Sequence, residues 1–178
     1  MCQQLFHTMQ LPFPDSLQNW KNRVNAWCAA YKATHGNSDI HEIHIDSAVF
    51  LFDLYFERVV LAYAISTPPL MKRDTNRMRG FPNVNASTTF FADKGHFLGH
   101  ASGGQLDMNL FPHRRELNRG WSQEGKKFRE MERFVEKNNN TFFFHHPLYD
   151  DLTWVPNQLE YGVLMESTNW WEDCFQNK

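Results

Sequence analysis

Apolar side chains recur along the chain with two different periods, and these periods predict helices in some segments and strands in others. In residues 15–35 the apolar positions lie three or four apart, which is the spacing of one face of an α-helix. Residues 122–138 show the same spacing, with charged side chains at the remaining positions. Residues 40–45, IHEIHI, instead carry isoleucines separated by polar side chains, which predicts a strand.

Further strands are predicted where apolar runs lie between turn-forming residues. Residues 48–66 form either a hairpin or one long bent strand, with a polar turn near Glu57 and Arg58. The remaining strands are predicted at 141–149, at 158–165 and, as a short edge piece, at 169–178. This order of helix, strands, long loop, helix and strands is typical of an α+β fold, and it favours antiparallel pairing over βαβ crossovers.

Composition limits the class of protein. A chain of 178 residues with 42% apolar side chains is expected to fold as one domain, or as one domain with a small extension. The three cysteines, Cys2, Cys28 and Cys174, form no disulfide pattern and suit a reducing compartment. The sequence shows neither a cleavable signal peptide nor an apolar run of spanning length. We therefore expect a cytoplasmic protein without a membrane partner, unless a specialised secretion machine exports it.

The formal net charge of −2 conceals an uneven distribution of charge along the chain. Residues 72–137 contain 13 of the 18 basic and 8 of the 20 acidic side chains, a balance of +5 that leaves −7 elsewhere. Local positive potential attracts a polyanion even when the whole chain is acidic. The alternative at this stage is an ordinary solvated surface.

Four short motifs follow one another in this basic segment. They are DKGH at 93–96, NLFP at 109–112, LNRG at 117–120 and FREME at 128–132. In order and spacing they resemble the DNA/RNA non-specific endonuclease family, whose active site is a ββα-metal finger, also called a His-Me finger. The resemblance extends more faintly over residues 48–165.

The resemblance implies a fold and a division of the chain. It implies a ββα-metal nuclease core with an antiparallel sheet, preceded by an N-terminal helix. We expect residues 1–40 to be a helical extension and residues 41–178 to be the nuclease domain. Strands around 85–110 and the helix at 122–137 would build the finger.

The resemblance also implies roles for individual residues, which suit the chemistry of phosphodiester hydrolysis. His96 is expected to act as general base, because an imidazole titrates close to neutral pH. Asn118 is expected to bind Mg²⁺ (or Mn²⁺) directly, with Glu132 and Asp93 acting through metal-bound water, or Asp93 orienting the site. Phosphate or substrate contacts are predicted for Arg73, Arg77, Lys94, Asn109 and Arg119, with Arg77 also in the catalytic set. Lys94 replaces the usual arginine of the family, and Asn109 has a purely loop-fixing role as its alternative.

The predicted activity is therefore metal-dependent hydrolysis of DNA or RNA with little sequence specificity. An antibacterial toxin held by a cognate immunity protein is one expected setting, and a phage or housekeeping nuclease is another. Two other classes stay open: a catalytically inactive nucleic-acid-binding module, and a zinc protein using His96 and His100. A third zinc ligand would come from His113, His145 or His146, although two nearby glycines disfavour the helix that such a pair requires.

Overall fold

The computed structural model describes residues 14–69, 84, 87–105, 107–166 and 169–178. Its helices are α1 (Pro14–His35), α2 (Arg115–Asn118) and α3 (Gln123–Lys137). Its strands are β1 (Ile40–Ile45), β2 (Ala48–Asp53), β3 (Arg58–Ile65), β4 (Ala92–His96), β5 (Leu110–Arg114), β6 (Phe142–Leu148), β7 (Gln158–Glu166) and β8 (Asn169–Gln176). Short 3₁₀ turns cover His100–Ser102 and Asp107–Asn109.

Six of the strands form one antiparallel sheet in the order β1-β2-β3-β6-β7-β8, and β4 pairs with β5 in a separate antiparallel sheet. The predicted α+β class and antiparallel pairing are confirmed. Residues 48–66 form the hairpin rather than the single bent strand, and Glu57 in its turn has a left-handed backbone (φ 51°). The tail forms the edge strand β8.

Both faces of the six-stranded sheet are covered, which explains why its strands carry long apolar runs. Helix α1 packs on one face, where Trp20 and Val24 are buried against Phe142 and Phe144. Helix α3 and the β4–β5 hairpin pack on the other face, around Phe128 and Phe143. Successive phenylalanines of β6 thus enter opposite cores, as the alternation of side chains along a strand requires.

The predicted division of the chain at residue 40 stays a prediction. Helix α1 lies on the N-terminal side of that boundary and buries its apolar stripe against the sheet. Arg23 of α1 also makes an ion pair with Glu172 of β8. None of the helices in the described ranges combines the length and the apolar character needed to span a bilayer.

Candidate active site

The motif residues lie on a continuous strand–strand–helix unit formed by residues 92–137. DKGH lies within β4, and β5 pairs with it from Ala92 opposite Arg114 to His96 opposite Leu110. Strand β5 extends beyond the predicted range of 85–110 and includes Pro112. This hairpin has only two strands, so Pro112 occupies an edge strand, where a missing backbone donor is tolerated.

Asp93 joins the hairpin to α2. Its carboxylate accepts hydrogen bonds from Arg115 Nε (3.1 Å), from Arg119 Nε (2.5 Å) and Nη2 (3.0 Å), and from Asn118 Nδ2 (3.4 Å). Burial raises the pKa of Asp93, but the hydrogen bonds from Arg119, Asn118 and Arg115 outweigh it, so the pKa lies below its usual value. Both carboxylate oxygens are occupied by these donors, which is the arrangement of an orienting residue.

Asn118 ends α2 and is half-buried. Its amide nitrogen points to Asp93, so its amide oxygen lies on the other side of the group. Burial lowers the pKa of His113, and among the smaller influences on this pKa a hydrogen bond with Asn118 raises it and the neighbouring His96 lowers it. Both predicted catalytic residues therefore neighbour the same histidine ring.

His96 is the last residue of β4 and is half-buried. Lys94 lies two residues before it and projects from the same face of the strand, as strand periodicity requires. Asp93 and Gly95 belong to the opposite face, and Gly95 packs against His113 across the hairpin. The hairpin thus presents a base and a cation on one face, while the other face is fastened to α2 and the core.

Glu132 lies on the side of α3 that faces the six-stranded sheet. It accepts a hydrogen bond from Arg129 Nη1 (2.6 Å). Burial raises the pKa of Tyr161 in the sheet, and the nearby Glu132 charge raises it further. Burial raises the pKa of Glu132 itself, and the Arg129 charge opposes this shift. Its described ion pair is made within α3, with a residue three positions earlier on the same helix. Its predicted role through metal-bound water stays a prediction.

Asn109 holds the loop between the two hairpin strands. Its side chain is fully buried, with Oδ1 accepting from Leu98 N (2.8 Å) and Nδ2 donating to Leu98 O (2.8 Å) and Gln105 O (2.6 Å). No surface of the amide is left for substrate. We therefore replace the predicted substrate contact of Asn109 with the loop-fixing alternative.

The structure does not provide the geometry that the zinc hypothesis needs. His96 ends a strand and His100 begins a 3₁₀ turn, so the premise of an i, i+4 pair on one helix is wrong. Among the described residues, no group of three or more His, Cys, Asp or Glu could hold a metal ion. His145 contacts the rings of Phe128 and Tyr161 in the core on one face of the sheet. His146 lies on the opposite face, where Nδ1 is hydrogen-bonded to Glu160 (2.7 Å) and the ring stacks on Trp27.

Three contacts of the unit were not anticipated from the sequence. Arg115 shares the Asp93 carboxylate with Arg119, Arg114 pairs with Glu124 (2.6 Å), and His113 occupies the space above Gly95. The sequence signal was the HRRE stretch directly after NLFP, at 113–116. The predicted Arg73 and Arg77 lie outside the described residues.

A cavity of about 880 Å³ opens beside the hairpin, lined mainly by apolar residues that include Phe97, Leu110 and Trp154. None of the predicted site residues in the described ranges lines it. The candidate site is therefore distinct from this cavity and is formed by the strand–strand–helix unit itself.

Two buried histidines lie beneath this unit and give the fold a dependence on pH. Burial lowers the pKa of both His113 and His145 to about 3. In the unfolded chain a histidine titrates near ~6.5. The unfolded state therefore binds more protons between these two values, so stability falls as the pH drops below about 6.5.

We expect His145→Gln to weaken this pH dependence. Between pH 7.5 and 5.5, each buried histidine should remove about 1.4 kcal/mol from the free energy of unfolding. Glutamine does not titrate, so the variant should lose about 1.4 kcal/mol less than the wild type over the same interval. Urea unfolding at both pH values measures this difference, and the packing cost of the substitution cancels within each protein. Equal losses for the two proteins would contradict the assignment of a neutral buried His145.

No protein-family model matches the chain, and no curated protein sequence matches it. Among solved structures, the chain is similar to an extracellular endonuclease at 12% identity, covering 81% of this chain and 80% of that one, with a TM-score of 0.46. It is also similar to an extracellular nuclease at 11% identity, covering 81% and 86% of the two chains, with a TM-score of 0.41. Similarity at this level carries no statement about activity, so function is argued from the site residues.

Proposed function

We propose that the chain is a metal-dependent endonuclease that hydrolyses phosphodiester bonds of DNA or RNA with little sequence specificity. The observation that carries the proposal is the Asp93 carboxylate, which fastens the hairpin bearing His96 to the short helix bearing Asn118. A base, an oxygen ligand and several cations are thereby held on one rigid unit. This combination suits the hydrolysis of a phosphate diester.

One of the predicted ligands, Asn118, fits a hard divalent cation such as Mg²⁺ or Mn²⁺, whereas Asp93 and Glu132 already bind arginines. Such ions prefer oxygen ligands and keep several waters, so one or two protein oxygens suffice. The Asn118 amide oxygen fits as the direct ligand, since the amide is held by its nitrogen at Asp93. Asp93 would act by fixing α2, and Glu132, whose Oε2 accepts from Arg129, would contribute through its other carboxylate oxygen. When bound, the ion would supply positive charge at the phosphate and acidify a water.

The chain's own side chains would perform the proton transfer and hold the phosphate. His96 would take the proton from the attacking water, for which an imidazole is suited near neutral pH. Lys94, on the same strand face, would place a point charge beside the phosphate without the planar fork of an arginine. Arg119 would add charge from the exposed end of α2, and Arg73 and Arg77 remain proposed phosphate contacts.

A nuclease with little sequence specificity endangers the nucleic acids of the cell that makes it. We therefore infer a protein inhibitor that covers the site, as in a toxin with its immunity protein, and delivery by a specialised secretion machine. The basic balance of residues 72–137 supports an acidic partner for this segment.

Digestion of supercoiled DNA and of RNA tests the proposed activity. We expect cleavage of at least one substrate with Mg²⁺ or Mn²⁺, loss of cleavage with EDTA, and its return when the metal is restored. Asn118→Ala should abolish the metal-dependent cleavage. Glu116→Ala changes an exposed residue of the same short helix and should leave cleavage unchanged. Cleavage that persists in EDTA would refute the metal requirement, and binding without cleavage would identify an inactive nucleic-acid-binding module.

A further inference from the structure

Two exposed aromatic side chains flank the Asp93 cluster. Phe91 is 76% exposed just before β4, and Trp121 is 61% exposed between α2 and α3. Side chains this exposed contribute little to stability through burial, although single exposed apolar residues are common on protein surfaces. What distinguishes these two is the set of contacts around each ring.

Each ring lies beside an arginine that belongs to the site. Arg115 Cζ is 5.4 Å from the centre of the Phe91 ring, and Arg119 Cζ is 5.0 Å from that of Trp121. Both arginines are bound to the same Asp93 carboxylate. The two rings are thus linked to the candidate active site through one chain of contacts, from Phe91 to Trp121.

The backbone at both rings is fixed as well. Arg115 N donates to Phe91 O (2.9 Å), and Trp121 N donates to Glu116 O (2.9 Å). Neither aromatic residue therefore lies on an unanchored loop tip. Each ring is thus held in place and exposed to solvent, with a guanidinium over one face. Exposed aromatic faces together with arginines are what nucleobases stack on in single-strand binding proteins.

We propose that Phe91 and Trp121 form a stacking platform for unpaired bases, and that the preferred substrate is single-stranded nucleic acid. This proposal rests on the proposed function, because it places the platform beside the cleavage site. In a duplex both faces of a base are covered by its neighbours, so a protein ring can stack only where a strand is unpaired. Arg115 and Arg119 together carry one positive charge more than Asp93 neutralises, which favours the phosphates of the same strand.

Binding to a strand without bases separates stacking from charge. The His96→Ala protein, in which cleavage is slowed, is titrated with two fluorescein-labelled oligonucleotides of twelve residues, one of ordinary DNA and one of abasic sugar-phosphate. Base stacking is expected to make the ordinary strand bind about tenfold or more tightly, because each stacked base contributes at least about a factor of five to ten. Equal affinity for the two probes would overturn the proposal, and this test requires no substitution of Phe91 or Trp121.

Substitutions then locate the stacking surface. Phe91→Ala and Trp121→Ala, each in the His96→Ala background, should remove most of the preference for the ordinary strand, and Trp121→Phe should retain it. Tyr55→Ala is the matched control, since Tyr55 is 59% exposed but lies on the turn between β2 and β3. A loss of preference with Tyr55→Ala, and none with the other two, would place stacking elsewhere and refute the assignment.

Cleavage with His96 intact distinguishes this proposal from the proposed function. Phe91→Ala and Trp121→Ala should lower kcat/KM on single strands about tenfold more than kcat/KM on duplex, whereas Tyr55→Ala should change neither. If the wild type cleaves and both aromatic variants cleave single strands equally well, the platform is refuted and the proposed function stands. If the wild type binds ordinary strands through these rings but cleaves nothing, the platform stands and the proposed function fails.

Discussion

His96→Ala is expected to reduce kcat for phosphodiester hydrolysis by about 10²–10⁴-fold, the usual contribution of a positioned general base. The residue is half-buried at the end of β4 and projects from the same strand face as Lys94. Removing the imidazole leaves the cations and Asn118 in place, so substrate should still bind. We therefore expect KM to change little, and the loss to appear in kcat measured on DNA or RNA at saturating Mg²⁺.

His100→Ala is the matched control for this substitution. His100 is also half-buried, lies four residues along the chain and begins a 3₁₀ turn in the hairpin loop. Its removal should leave kcat unchanged, with thermal melting used to confirm that both variants are folded. An equal loss of activity in both variants would indicate a shared role of the two histidines and revive the zinc hypothesis. Full activity in His96→Ala would refute the general-base assignment.

The principal elements of the fold could be predicted because each carries a strong local period. Helix α1 was predicted within one residue of its observed start, and β6 within one residue of both ends. Strand β5 could not be predicted with the same accuracy. Pro112 is permitted there only because its strand has one neighbour, and the number of neighbours is a property of the tertiary fold.

The sequence predicted which residues belong to the candidate site, but it did not predict which side chains they contact. The motifs identified Asp93, His96 and Asn118, but the pairing of Asp93 with Arg115 and Arg119 depends on where α2 lies against the hairpin. The spacing of FREME likewise put Glu132 one turn from Phe128 on the side of α3 toward the sheet, but it did not show that Arg129 of the same helix binds its carboxylate. Spacing along a helix determines the face of a residue but not the partner that this face meets.

Gly95→Ala is expected to destabilise the protein by about 2–3 kcal/mol, which corresponds to a fall in Tm of roughly 5–10 °C for a chain of this size. A Cβ at this position would lie 2.4 Å from His113 Cβ and 2.6 Å from its Nδ1. His113 Cβ is attached directly to the backbone of β5, and its ring is confined between Phe111 and Phe128. The clash can therefore be relieved only by moving the two strands apart.

Gly99→Ala, four residues along in the same stretch, is the control. Its backbone (φ −59°, ψ 141°) is accessible to alanine, and the nearest atom to an added Cβ is Ser102 Oγ at 3.9 Å. This variant should melt at or slightly above the wild-type temperature, because alanine restricts the unfolded chain. Similar Tm values for the two variants would show that His113 does not hold the hairpin strands at their observed separation.

Because Gly95 lies between Asp93 and His96, moving β4 should also displace the His96 imidazole. Gly95→Ala should therefore lose more activity at 25 °C than its unfolded fraction explains, and that excess measures how far catalysis depends on the pairing of β4 with β5.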